Sequence, residues 1–167
     1  MNALLLPGNS PRHAKWVEKL KNAISSQFET VTAQHYRHWE TGNEWADVDY
    51  EISIASEKAA KISPYIIIGK SIGTAIATKG IADKVLHPEK IILLGVPING
   101  GVSTDSLTQW LKHIAIPVVI VQNTADPLGS FSDVKKALKD IGSNLSFVEL
   151  VGNTHDYVDF DAISKII

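Results

Sequence analysis

The amino-acid sequence predicts a three-layer α/β/α fold, a doubly wound parallel sheet of about six strands with helices on both faces. Three observations carry this. Short apolar runs alternate with longer amphipathic segments from end to end, the pattern of repeated βα units. Within the longer segments apolar residues return at helical spacing, as in Trp16/Val17, Leu20, Ile24 and Phe28. Finally, Gly69-Lys70-Ser71-Ile72-Gly73 stands where an apolar run stops and the small-residue helix Thr74-Ala75-Ile76-Ala77 begins, a sharp strand-to-helix turn of the kind that lifts a serine hydroxyl above a sheet.

Taken in order, the first strand is Ala3 to Leu6, and Pro7-Gly8-Asn9-Ser10-Pro11 is a tight loop opening a helix. Asn9 or Ser10 suits the cap and Pro11 the first helical turn. A second strand spans Glu29 to Tyr36, and Trp45, Val48, Ile52, Ala55 and Ala59 mark the next helix. Tyr65 to Ile68, Ile91 to Leu94, Val118 to Val121 and Ser146 to Val151 complete the strands. Right-handed crossovers then place any ligand at the carboxyl ends of the strands. Only His38 to Asn43 and Pro97 to Asp105 are long enough there to shape a pocket. No stretch rich in Pro, Gly or Ser divides the chain, so a single domain over residues 1–167 is expected.

Composition narrows the function. A net charge of −2 with no basic run leaves no electrostatic footprint for nucleic acid. With no cysteine, a thiolate nucleophile and thiolate metal sites are excluded. No apolar run approaches a membrane span, and Ala3 to Leu6 is far too short for a signal-peptide core. A cytoplasmic protein acting on a small molecule is the expectation.

Serine-based acyl transfer needs a base within reach of the hydroxyl and an acid that orients the base. Gln122-Asn123-Thr124-Ala125-Asp126-Pro127 follows the fifth strand, and Gly152-Asn153-Thr154-His155-Asp156 follows the sixth. Ser71, Asp126 and His155 are therefore the expected catalytic residues, each at a strand's carboxyl end. The Ile72 backbone N–H supplies one oxyanion donor and the Asn9 N–H the second, with Gly8 as the fallback. Plainer readings exist for each residue. Ser71 also suits a helix N-cap, Asp126 before proline a turn, and His155 a solvated loop. Asp156 is a rival acid, but adjacent residues rarely face the same imidazole, and Glu149 lies inside a strand.

Two other signals carry less. Gly69-Lys70-Ser71 echoes the end of a phosphate-binding loop, yet Pro64 replaces the first glycine and Tyr65 to Ile68 reads as strand. His35 and His38, three apart at a strand end, fall on opposite faces, so no metal site is expected. Trp39, Trp45 and Trp110 border the two longer connections as pocket or packing residues.

From Leu4-Leu5-Leu6-Pro7-Gly8-Asn9 and Trp16, through Ile66-Ile67-Ile68-Gly69-Lys70-Ser71-Ile72-Gly73, to Asp126-Pro127 and Gly152-Asn153-Thr154-His155, the chain resembles the α/β-hydrolase superfamily. Within it, the chain is similar to the small capless serine hydrolases of the retinoblastoma-binding-protein-9 kind. The resemblance implies a minimal α/β-hydrolase fold with strand order 2-1-3-4-5-6 and esterase-like chemistry without a cofactor. The retinoblastoma-binding motif of that group's namesake needs a cysteine, so that partner does not carry over to a chain with none. Pro7 where many members have histidine, Lys70 before the serine, and Thr74 where a second glycine is frequent are departures that bear on substrate preference.

Overall fold

The computed structural model describes residues 1–100 and 102–167. Six strands, β1 (Asn2–Leu6), β2 (Val31–Ala33), β3 (Tyr65–Lys70), β4 (Ile91–Leu94), β5 (Val118–Asn123) and β6 (Leu145–Leu150), form one sheet in the order β2-β1-β3-β4-β5-β6. Every neighbouring pair is parallel. Among the described residues, seven α-helices accompany the strands: α1 (His13–Ile24), α2 (His38–Thr41), α3 (Val48–Ala59), α4 (Ile72–Ala82), α5 (Thr104–Lys112), α6 (Phe131–Leu138) and α7 (Phe160–Ser164).

Strand alternation sorts the core into two layers. Leu4, Leu6, Ile67, Ile91, Leu93, Val118 and Ile120 face the side covered by α3, α4, α5 and α6. Ala3, Leu5, Ile66, Ile68, Ile92, Leu94 and Val121 face α1 and α7. The central strands β1, β3 and β4 are buried throughout, which is why they read as continuous apolar runs.

The edges differ most from the expected elements. The second strand shrinks from Glu29–Tyr36 to Val31–Ala33 because β2 lies at the sheet edge, paired with β1 on one side. Beyond it the chain bends inward, and the buried Tyr36 hydroxyl donates to the Pro7 carbonyl at 2.8 Å. Phe28 lies past the helix, in extended backbone after a 3-10 turn at Ser25–Gln27. Trp45 precedes α3 and is 57% exposed, because Asp47 caps that helix through the Tyr50 N–H. Nor does Asn9 or Ser10 cap α1, which starts at His13 after a turn in which Ser10 and Pro11 carbonyls accept from His13 and Ala14.

The turn between β3 and α4 explains its glycines. A Cβ on Gly69 would lie 2.6 Å from the Gly73 carbonyl oxygen, and one on Gly73 would overlap the Leu6 carbonyl oxygen. Backbone atoms cannot swing aside as a side chain does. Gly73→Ala is therefore expected to destabilise the fold by about 3 kcal/mol, the upper end of ordinary overpacking, read as a lowered urea midpoint.

Candidate functional site

Ser71 joins β3 to α4 with φ 53 and ψ −117, a region that L-residues rarely occupy and that stores about 1–3 kcal/mol. It stands at the N-cap position, yet its side chain makes no capping bond. Instead Thr74 turns back, its N–H and hydroxyl both donating to the Ser71 carbonyl at 2.9 and 2.6 Å. The cap reading thus leaves the hydroxyl uncommitted. The Ser71 N–H donates to the Leu94 carbonyl at 3.0 Å, pinning the turn to the end of β4.

Asp126 and His155 meet across the ends of β5 and β6. His155 Nδ1 lies 2.8 Å from Asp126 Oδ2 and 3.0 Å from Oδ1. The Asp126 side chain is wholly buried and also accepts from the Tyr157 hydroxyl and the Leu128 N–H, each at 2.8 Å. A buried carboxylate is tolerable only with donors of this kind. Asp156, the rival acid, points away and pairs with Arg12 at 3.0 Å on the surface.

His155 Nε2 is buried and has no hydrogen-bond partner, Ser71 included. The ring nonetheless sits at the serine turn. A Cβ on Gly95 would fall 3.0 Å from His155 Cε1, and Gly95 follows Leu94, whose carbonyl holds the Ser71 N–H. Gly95 has φ +63, and its bare Cα also admits the Tyr157 ring.

The loop after β1 completes the arrangement. Ser71, Ile72 and Asn9 line one cavity of about 130 Å³, walled by Trp45, Pro97 and Leu128. Among the described residues, the Asn9 and Ile72 N–H groups donate to no protein acceptor. Asn9 is held by its other atoms. Its carbonyl accepts from His38 Nε2 and Trp39 Nε1 at 2.7 Å, its Oδ1 accepts from the Ala46 N–H, and its Nδ2 donates to the Glu44 carbonyl. Trp39 and His38 are therefore braces for this loop. His35 pairs with exposed Glu18 instead, and among the described residues no three potential metal ligands converge.

Three features went unread in the sequence: Tyr157, His13 and the burial of Lys70. Tyr157 adopts φ 54, donates to Asp126, and accepts from the Asn123 N–H at 2.9 Å. Burial, foremost, and the adjacent Asp126 push its hydroxyl well above the usual tyrosine value, so it stays a donor. Lys70 extends the alternation Ile66, Ile68, Lys70 and is wholly buried on the α1 side. Its Nζ lies 3.1 Å from His13 Nε2. Burial lowers Lys70 to about 8, against the raising pull of Asp156 and Asp126. Burial and then the Lys70 charge lower His13 to about 4.

Both shifts mean that the unfolded chain binds more protons within two windows, from about pH 8 to 10.5 through Lys70 and from about pH 4 to 6.5 through His13. Stability is expected to rise with pH across each window, and so to be lost as acidification proceeds through the lower one. Urea midpoints measured against pH check this, with His13→Gln flattening the lower window.

A family model described as an alpha/beta hydrolase domain matches residues 13–162, and the chain belongs to that family. No curated protein matches it by sequence. Among solved structures it is similar to the N-formylmaleamic acid deformylase of Pseudomonas putida S16, at 11% identity and a TM-score of 0.71 over 99% of this chain and 91% of that one. An uncharacterized protein from Bacillus cereus superimposes with a TM-score of 0.79 at 18% identity; 99% of this chain spans only 57% of that protein. An alpha-beta serine hydrolase homologue from Coxiella burnetii gives 0.67 at 18% identity, over 99% and 82% of the two chains. At these identities the likeness speaks for the fold. Among the described residues no helix is long and apolar enough to cross a membrane.

Proposed function

We propose that this chain is a serine hydrolase that cleaves a small ester, thioester or amide through an acyl-enzyme, without a cofactor and in the cytoplasm, as small capless hydrolases of the retinoblastoma-binding-protein-9 kind would. Ser71 attacks the carbonyl carbon. His155 Nε2 takes the serine proton and returns it to the leaving group, while Asp126 holds the imidazolium. The Ile72 and Asn9 N–H groups bind the oxyanion. Water enters after the leaving group departs, and His155 acts as base a second time.

The observation that carries this reading is the buried Asp126–His155 hydrogen bond beside the strained Ser71 turn, with His155 Nε2 left unpartnered. Nucleophile-to-base bonds in empty sites commonly tighten only when substrate arrives. The same unmade bond favours the alternative, a catalytically silent binding protein on this fold. Fluorophosphonate labelling separates them. Stoichiometric reaction, with the adduct mapped to Ser71 by mass spectrometry, is expected; a folded protein that stays unlabelled overturns the hydrolase reading.

The cavity at Ser71 also speaks to the acyl group. Its volume of about 130 Å³ is well under the roughly 300–1,000 Å³ of sites that enclose drug-sized ligands. A neighbouring cavity of about 370 Å³ shares Trp45, Ile72 and Val102 with it and adds polar walls at Asp49, Lys79 and Ser103, suited to the leaving group. Acetyl and butyryl p-nitrophenyl esters are expected to exceed the decanoyl ester in kcat/KM by about tenfold or more.

A further inference from the structure

We propose that Lys70, through its hydrogen bond to His13, is a positioning residue that locks the Pro7–Ser10 loop against the Ser71 turn and so fixes the oxyanion donor at Asn9. This rests on the hydrolase reading above.

The connection can be followed atom by atom. Lys70 immediately precedes Ser71, and its side chain runs the opposite way, into the layer beneath α1. No carboxylate among the described residues lies within ion-pair distance of its Nζ; the partner is the neutral His13 ring, with the rings of Trp16 and Tyr157 at 5.7 and 5.9 Å. An ammonium has no acceptor, so the bond makes His13 Nε2 the acceptor and puts the ring proton on Nδ1. That edge of the ring lies against Gly8, where a Cβ would come within 2.6 Å of both Nδ1 and Cε1. Gly8 adjoins Asn9, which lines the Ser71 cavity and whose N–H donates to no acceptor among the described residues. The nucleophile's own strand thus sets the position of the opposing loop.

A buried ammonium that faces no carboxylate at contact distance is a costly way to fill a core. An apolar side chain would fill the same space but would not orient His13. The charge is also placed to act. Arg12 and His13 lie near Lys70 from α1 and its lead-in, Asp126 from the loop after β5, and Asp156 and Tyr157 from the loop after β6, while His155 acts on His13. At neutral pH the pair is an ammonium donating to a neutral imidazole, and above about pH 8 the donor loses its charge and the bond weakens.

The test compares wild type with Lys70→Met, His13→Leu and His13→Gln, using hydrolysis of p-nitrophenyl acetate, the rate of fluorophosphonate labelling at Ser71, and nitrogen-15 NMR of the histidines. Lys70→Met and His13→Leu are each expected to lower kcat by about tenfold to a hundredfold with KM little changed, below the loss for deleting an oxyanion donor outright. The double variant should be no worse than either single one, because both break one connection. His13→Gln, which still offers Lys70 an acceptor, should recover most of what His13→Leu loses. Wild-type kcat should decline above about pH 8, and this limb should vanish in Lys70→Met. The NMR shows the bond without any turnover: His13 Nε2 should be unprotonated in wild type, and His13 should titrate closer to its ordinary value once Lys70 is methionine. Folded Lys70→Met that labels and turns over like wild type overturns the proposal alone, as does additive loss in the double variant or a His13 proton found on Nε2. If Lys70→Met does not fold, the His13 pair decides in the same way. Wild type that never labels at Ser71 overturns the hydrolase reading and this proposal with it.

Discussion

Ser71→Ala is expected to reduce ester hydrolysis to background and to eliminate fluorophosphonate labelling while leaving the protein folded. Losing a nucleophile of this kind costs about a millionfold in kcat, and what survives comes from substrate binding and the oxyanion donors. The structure adds a second arm. Ser71 has φ 53, and alanine keeps the Cβ that makes that backbone unfavourable, so the stability of Ser71→Ala should stay within about 0.5 kcal/mol of wild type. Glycine removes the Cβ, and Ser71→Gly should be more stable than wild type by about 1 kcal/mol. Inactive variants that differ in this order by urea denaturation would identify a strained residue held for its hydroxyl. A Ser71→Ala protein that still hydrolyses ester would sink the assignment of the nucleophile.

How far the fold could be read in advance depended on burial. The central strands are covered on both faces, so their composition is dictated by packing and the runs Tyr65 to Ile68 and Ile91 to Leu94 are plain in the sequence. The strand order implied by the family resemblance is the one observed. Edge elements are decided by tertiary contacts that no local pattern records. Tyr36 looks like a strand residue, but its hydroxyl is needed at Pro7. Phe28 and Trp45 extend a helical spacing past ends set by a 3-10 turn and by the Asp47 cap.

The site divides along the same line. Residues at strand ends were legible because a parallel sheet collects its carboxyl ends in one place, and Asp126 and His155 do meet there. Tyr157, His13 and the burial of Lys70 were not. Tyr157 reaches Asp126 by a left-handed backbone turn, and nothing in Asp156-Tyr157-Val158 announces it. A lysine reads as surface by composition. Only the period-two register of Ile66, Ile68 and Lys70, projected onto a sheet covered by α1, would have placed it inside.

The second large effect is expected at Asp126. Its Oδ1 accepts from the Leu128 N–H, its Oδ2 from the Tyr157 hydroxyl, and both lie within hydrogen-bond distance of His155 Nδ1. An asparagine has one acceptor atom for these three donors. If its oxygen stays on the Leu128 N–H, its amide nitrogen faces His155 Nδ1, which must then become the acceptor. The ring proton moves to Nε2, the atom proposed to take the proton from Ser71, and the base is lost with the geometry almost unchanged. A wrong tautomer of this kind costs about ten-thousandfold in kcat, so Asp126→Asn should retain a trace of activity with KM near wild type. Asp156→Asn is the control. Asp156 pairs with Arg12 in solvent, a contact of about 1 kcal/mol or less, and at neutral pH, below the range in which Lys70 gives up its charge, its loss should lower kcat far less than Asp126→Asn does. Measuring kcat for both variants on one ester separates the two carboxylates, and a large loss in Asp156→Asn with little in Asp126→Asn would reverse the assignment of the acid.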